Sequence, residues 1–120
     1  DMALASDIMT GGFSAGSAKA IQGLVNDAVA AAGTTQATAT DLTRSVNAVT
    51  SGTGGVQIPN ADLADEVEII NLSGAAITVY PPTSGQINEL GANNGFLLAD
   101  NTAVKVKKFT TTRWMAFLSA

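Results

Sequence analysis

A cluster of four carboxylates is the part of this sequence that comes closest to a reactive site. Its members are Asp62, Asp65, Glu66 and Glu68. Paired carboxylates can act as the acid and base of glycoside hydrolysis, and carboxylate oxygens are ligands that calcium prefers. However, residues 60–66 lack the ligand spacing and the glycine turn of a calcium-binding loop. We therefore expect solvated turn residues here, with a weak cation site or a catalytic pair as the alternatives.

Two residue types that many catalytic mechanisms use do not occur in this sequence. The chain has no histidine and no cysteine. This removes the usual activating base of a serine nucleophile and all thiolate metal ligands, and leaves a lysine-activated serine as the alternative. The glycine-rich residues 52–55 lack the Lys-Ser/Thr of a phosphate-binding loop and lead into a strand, so we predict a flexible hairpin turn. The sequence predicts a protein that is not an enzyme and holds no cofactor or metal.

Trp114 and Tyr80 are the two aromatic residues that also carry a hydrogen-bonding group. A Trp near the end of a last strand commonly closes the core, with its indole N–H donated to a carbonyl oxygen. Tyr80 directly precedes Pro81-Pro82, where its hydroxyl could fix a turn. We predict that both residues are core anchors, with a sugar-binding platform formed together with Phe109 and Phe117 as the alternative.

The charge balance argues against nucleic acid as a partner. The net charge is −4 and the pI is near 4.4, so phosphate contacts would gain little from counterion release. The basic cluster of Lys105, Lys107 and Lys108 is expected to be a solvated strand face or a protected sheet edge, with phosphate contact as the alternative. No apolar run approaches the roughly 20 residues that cross a bilayer, so we expect no membrane partner.

The composition favours a protein that other proteins cover. Hydrophobic residues make up 46% of the chain, many of them alanine, whereas aromatic residues make up 5% and charged residues 13%. Such a chain builds a weak core alone and has a surface with few charges, which is typical of subunits in assemblies. We therefore expect a homo-oligomer or a component of a larger particle.

The chain divides into four predicted segments. These are an extended apolar arm at 1–14, a helix at 15–33, a connector at 34–44, for which a first edge strand is the alternative, and a β-domain at 45–120. The arm is expected to lie along another protein, with a return onto its own domain as the alternative. Its large apolar side chains are Met2, Leu4, Ile8, Met9 and Phe13.

Segment 15–33 has the spacing of an amphipathic helix, and Gly33 stands where a helix commonly ends. Its apolar stripe is built of small residues and includes Ile21, Leu24, Val25 and Ala28. The stripe is expected either to dock on the chain's own sheet or to pack against sister helices in a symmetric bundle.

The β-domain shows short apolar runs separated by turn residues every 8 to 12 positions or so. In Val104-Lys105-Val106-Lys107, alternation predicts valines facing inward and lysines outward. The same rule places Val67, Ile69 and Asn71 on one face of their strand. We predict a mainly β fold, a compact antiparallel β-sandwich or small barrel preceded by the N-terminal helix and the extended arm.

The order of motifs between Gly52 and Phe117 resembles small β-domains in virion proteins of tailed bacteriophages. The resembling segments are Gly52-Thr53-Gly54-Gly55-Val56-Gln57-Ile58-Pro59, Val67-Glu68-Ile69-Ile70-Asn71, Val79-Tyr80-Pro81, Ile87-Asn88 and the late Trp114. The resemblance covers about the C-terminal three-fifths of the chain. It implies a structural protein of the virion, and a departure from the pattern is Met115, which makes the final strand more apolar.

The resemblance implies a capsid decoration, or cement, protein on the outer surface of the capsid. Its partners would be the major capsid protein and itself, as a homo-oligomer with a trimer favoured. The arm residues listed above are the expected capsid contacts, and the helix residues listed above are the expected subunit contacts. The alternatives are a head or tail fibre subunit with a trimeric helical stalk, and a carbohydrate-binding module that uses Trp114 and Tyr80.

Overall fold

Two mixed β-sheets make up the part of the protein that the computed structural model describes, residues 25–119. Between these residues there is no helix, and hence none long and apolar enough to span a membrane. The prediction of a mainly β protein is confirmed for this range. Its strands are β1 (Val25–Ala31), β2 (Thr40–Asp41), β3 (Val46–Gly52), β4 (Gly54–Gln57), β5 (Glu66–Asn71), β6 (Ile77–Tyr80), β7 (Gln86–Ile87), β8 (Phe96–Leu98), β9 (Thr102–Lys108) and β10 (Arg113–Leu118).

The chain crosses from one sheet to the other after each strand from β1 to β8. The six-stranded sheet has the order β1-β3-β5-β9-β10-β7, and the four-stranded sheet has the order β2-β4-β6-β8. Consequently β1, β3 and β5 are parallel neighbours in one sheet, and β2, β4 and β6 are parallel neighbours in the other. The buried residues of both sheets form one core, as expected for a sandwich. The predicted antiparallel arrangement is wrong, because both sheets are mixed.

The turn residues explain this error. Ser73-Gly74 and residues 52–55 read as hairpin turns, but each connects strands that lie in different sheets. At the crossing from β3 to β4, Gly52 has a φ of +81°, and a Cβ there would overlap the carbonyl oxygen of Ala31. The hairpin expected at Thr110–Thr112 is confirmed, since it joins the antiparallel strands β9 and β10.

The predicted helix at 15–33 is wrong from Val25 onward, because Val25–Ala31 is strand β1. The part of that segment at 15–24 lies outside the described residues, as does the arm at 1–14. As a strand, this segment gains a ladder of hydrogen bonds to β3 and buries Val29 and Ala31 in the core. A helix of the same small residues would bury little area. Pairing with β3 therefore outweighs the weak helix propensity of this segment. The β-domain therefore begins before residue 45 and includes Val25–Ala31.

The core lies between the two sheets and follows the predicted alternation. Val67, Ile69 and Asn71 of β5 are buried, and so are Val104 and Val106 of β9. Lys105 and Lys107, which alternate with these valines, face outward as expected. The edge position of β1 leaves its first half exposed, with Val25 at 63% of its full accessible surface.

Asn71 is a buried polar residue that ties the two sheets together. Its Nδ2 donates to the carbonyl oxygens of Ala75 (2.8 Å) and Leu98 (3.0 Å), the latter in the opposite sheet. Its Oδ1 accepts from the backbone N–H and the hydroxyl of Ser73, at 3.0 and 2.8 Å. All four bonding positions of this amide are therefore used where the chain leaves β5 for β6.

Replacing Asn71 with alanine should lower the free energy of unfolding by about 3 kcal/mol, because two carbonyls and one N–H lose their buried partner. Asn47, equally buried on the neighbouring strand β3, provides a matched control. Its Nδ2 donates at 2.9 and 3.4 Å, but its Oδ1 has no partner among the described residues. Asn47→Ala should therefore cost only about 1 kcal/mol. Urea unfolding monitored by Trp114 fluorescence checks this, and equal losses would contradict it.

Candidate functional site

The acidic cluster is divided between a turn and a strand face. Asp62 donates its backbone N–H to a carboxylate oxygen of Asp65 at 3.0 Å, within the turn that precedes β5. Glu66 and Glu68 follow on β5 and face outward. Among residues 25–119, no group of three or more histidines, cysteines or acids is placed to hold a metal ion. The arrangement matches turn acids and a charged strand face.

The most distinctive surface of the described residues is the outward side of the six-stranded sheet, which we call the outer face. Strand alternation defines it, since these residues lie between buried neighbours such as Val67 and Val106. Its members are Val46, Ala48, Glu66, Glu68, Ile70, Ala103, Lys105, Lys107, Met115 and Phe117.

Strand register arranges the outer face in three rows. The central row is Val46, Glu68, Lys105 and Phe117, one residue from each of β3, β5, β9 and β10. On one side lies the row of Glu66, Lys107 and Met115, and on the other side lies the row of Ala48, Ile70 and Ala103. Acids and bases therefore lie side by side in the middle of the face, with apolar side chains at its flanks.

The charges in the middle of the face are only loosely paired within the chain. The Nζ atoms of Lys105 and Lys107 lie 3.8 and 3.7 Å from the two carboxylate oxygens of Glu66. Glu68, although opposite Lys105 in register, forms no ion pair with any other described residue. Beside these side chains runs a groove of about 460 Å³ that Phe117 also lines. The face thus carries charge that remains available to a partner.

The flank formed by β10 is unusually apolar for a surface strand. On the outer side, Phe117 exposes 55% of its surface and Met115 exposes 38%, while Leu118 at the end of the strand exposes 63% on the side of Trp114. The opposite side of the same strand buries Trp114 completely. A strand that is apolar on both faces is expected to be covered on both, by the core on one side and by a partner on the other.

Tyr80 lies outside the core, on the opposite side of β6 from buried Val79. Its ring covers the backbone at Gly55 and Gly95, where a Cβ atom would come within 2.7 and 2.9 Å of ring carbons. Its hydroxyl donates to the carbonyl oxygen of Thr34 at 3.2 Å. The residue thereby holds the loop between β1 and β2 against the four-stranded sheet.

Trp114 is fully buried in the core. Its Nε1 has no hydrogen-bond partner among the described residues, so the carbonyl expected to accept from it is not found. A cavity of about 30 Å³ that Trp114 and Lys108 help to line could hold a single water molecule. Because its ring is fully covered, Trp114 cannot stack on a sugar, and a platform built from Trp114 and Tyr80 is excluded.

The predicted contact residues fall largely outside the described range. The arm residues Met2 to Phe13 and the helix residues Ile21 and Leu24 precede Val25. Val25 and Ala28 lie on the edge strand β1, and both are exposed. Lys105 and Lys107 face outward on β9, whereas Lys108 donates to the carbonyl oxygen of Ala61 at 2.6 Å. The basic cluster therefore does not form one patch.

Sequence reasoning considered Phe117 only as part of a sugar platform and Glu68 only as part of the acidic cluster, and did not place them together on one face. The available signal was the final strand, in which Trp114 and Met115 belong to opposite faces and are both apolar.

A comparison of the chain with protein-family models, curated proteins and solved structures finds no match.

Removing a charge from the outer face should leave folding nearly unchanged. Glu66→Gln is expected to alter the free energy of unfolding by less than about 1 kcal/mol, because both of its ion pairs are long and half exposed. Val106→Ala, on the buried side of β9, is the matched control and should cost about 2 kcal/mol. Thermal and urea unfolding measure both values. A loss for Glu66→Gln as large as for Val106→Ala would show that the charges serve stability.

Proposed function

We propose that this chain is a non-enzymatic structural protein of a tailed-bacteriophage virion, which decorates and stabilises the outside of the capsid. It binds junctions of the major capsid protein as a homo-oligomer, with a trimer favoured. The resemblance of the motifs from Gly52 to Trp114 supports the phage assignment. The observation that carries the role in assembly is the outer face, where Phe117 and Met115 remain exposed beside charges that are loosely paired, as on a surface that another protein chain covers.

The physical basis of this role is contact area combined with multivalency. Burying apolar surface contributes roughly 25 cal/mol per Å², so one arm or one face provides modest affinity. Linking several such contacts in an oligomer raises the overall affinity by orders of magnitude without any new type of contact. A protein with few charges and a small core suits this role because its exposed apolar residues become covered on the particle.

The arm residues Met2, Leu4, Ile8, Met9 and Phe13 are the proposed capsid contacts. The proposed subunit contacts are Ile21, Leu24, Val25 and Ala28, of which the last two are exposed at the open edge of β1. The resemblance favours three copies, and a symmetric bundle of the helix over 15–33 is one way in which the subunits would pack. Because β1 occupies Val25–Ala31, that helix could involve only residues before Val25.

The fibre alternative places the same domain at the end of a trimeric stalk. The stalk would also have to precede Val25, since the described residues contain no helix. Copy number distinguishes the two roles. A decoration protein is present in proportion to the capsid subunits, whereas a fibre is present in a few copies per particle.

Deleting residues 1–14 should abolish binding to capsids while the β-domain stays folded, because the proposed capsid contacts are lost and the strands of 25–119 are kept. Co-sedimentation with capsids that lack the protein measures binding, and Trp114 fluorescence reports the fold. Leu97→Ala is the control, since it removes an apolar side chain that is 72% exposed on the other sheet. Full binding by the deletion variant would remove the arm from the mechanism.

A further inference from the structure

We propose that the outer face is a two-fold interface, on which a second copy of this chain binds face to face. The starting observation is the symmetry of the central row, which reads apolar, acidic, basic, apolar from Val46 to Phe117. The midpoint of this row lies between β5 and β9. A row of this kind is complementary to its own reversed copy. The proposal deepens the proposed function, on which it rests for self-association, by adding a second contact between copies to the one proposed at Val25 and Ala28.

The charge pattern selects one orientation of the two copies. If the two-fold axis lies in the interface, parallel to the strands and above the β5–β9 midline, β5 of one copy lies over β9 of the other. Glu68 then meets Lys105 of the second copy, and Glu66 meets Lys107. An axis perpendicular to the strands would instead bring Glu68 over Glu68, and such like-charge contacts cost several kcal/mol. The pairing is isologous, as expected for a homodimer.

The apolar flanks fit the same orientation. Adjacent strands are about 4.8 Å apart, so β3 and β10 lie at equal distances from the β5–β9 midline. Phe117 of one copy is therefore carried over Val46 of the other, and Ile70 over Ala103. Half-exposed Phe117 becomes covered at both ends of the row. The central row is then matched along its whole length, and the other two rows are matched at β5 and β9.

The size of the face indicates a reversible contact. Four strands with a length of about 20 Å cover roughly 400 Å² per copy, and the neighbouring edges bring the total for both copies to about 1,000 Å². This is at the lower limit for specific interfaces. We therefore expect a dissociation constant in the micromolar range and a particle mass that depends on concentration.

Charge reversal distinguishes a loss of pairing between copies from a loss of folding. Glu68→Lys makes the middle of the central row entirely basic, and Lys105→Glu makes it entirely acidic. Each variant alone should bind itself about 100-fold more weakly than the natural chain, since each like-charge contact occurs twice. A 1:1 mixture of the two variants should pair again, because each face then meets its opposite. The double variant Glu68→Lys/Lys105→Glu should also pair with itself.

Sedimentation velocity of the full chain over a range of concentrations measures these states. The monomer mass is 12.1 kDa, and the two-fold contact raises the mass above that of the unit that the other contacts build. Each single reversal should therefore lower the mass to that of this unit, and the mixture should restore it. Phe117→Ala should weaken pairing about tenfold, while Leu97→Ala on the other sheet should have no effect. Recovery in the mixture also shows that both single variants are folded.

Masses that are unchanged by the single reversals, or not restored in the mixture, would overturn the two-fold interface. Co-sedimentation of the same variants with capsids separates this inference from the proposed function. A chain that binds capsids but does not pair through the outer face overturns the interface alone. A chain that pairs as described but does not bind capsids overturns the capsid role alone.

Discussion

Each parallel pair of strands in this molecule requires the chain to return to the same end of the sheet before it pairs again. For the parallel strands β1, β3 and β5, each return contains a short strand of the opposite sheet. Strand β2 lies between β1 and β3 in the chain, and β4 lies between β3 and β5. The crossings between sheets carry backbone polar groups past the core, and these groups must be satisfied there. Asn71 does this at the crossing from β5 to β6. The core, the strand register and the outer face all depend on this winding being held in place.

Local alternation made most of the strands predictable. The shared buried face of Val67 and Ile69 follows from it, and so does the outward direction of Lys105 between its buried neighbours. Sheet membership was not predictable, because a glycine turn that starts a hairpin and one that starts a crossing use the same residue types. Strand β1 was missed for a different reason. Its small residues fit a helical period, and only pairing with β3 gives Val29 and Ala31 a core to enter.

The candidate site was less predictable than the fold, because it depends on strands that are distant in sequence. The sequence shows Glu68, Lys105 and Phe117 as three unrelated surface residues. They become one row only because β5 pairs with β9 and β9 pairs with β10, with particular residues opposite one another. A shift of one position would move each of these side chains to the other face of its strand. The register of the strands therefore determines which exposed side chains form the rows of the outer face.

The placement of charge in the middle of the outer face determines what kind of contact it can make. Ion pairs that lose water on binding return little net affinity, because desolvation offsets most of their attraction. Attraction must therefore come from the flanks, where Phe117 and Val46 can be buried, while the charges reject misaligned partners. A wholly apolar face of the same size would bind more tightly but would also accept any apolar surface during assembly. A contact that is specific in orientation and weak in isolation suits subunits that must find their positions reversibly and are then held by many contacts at once.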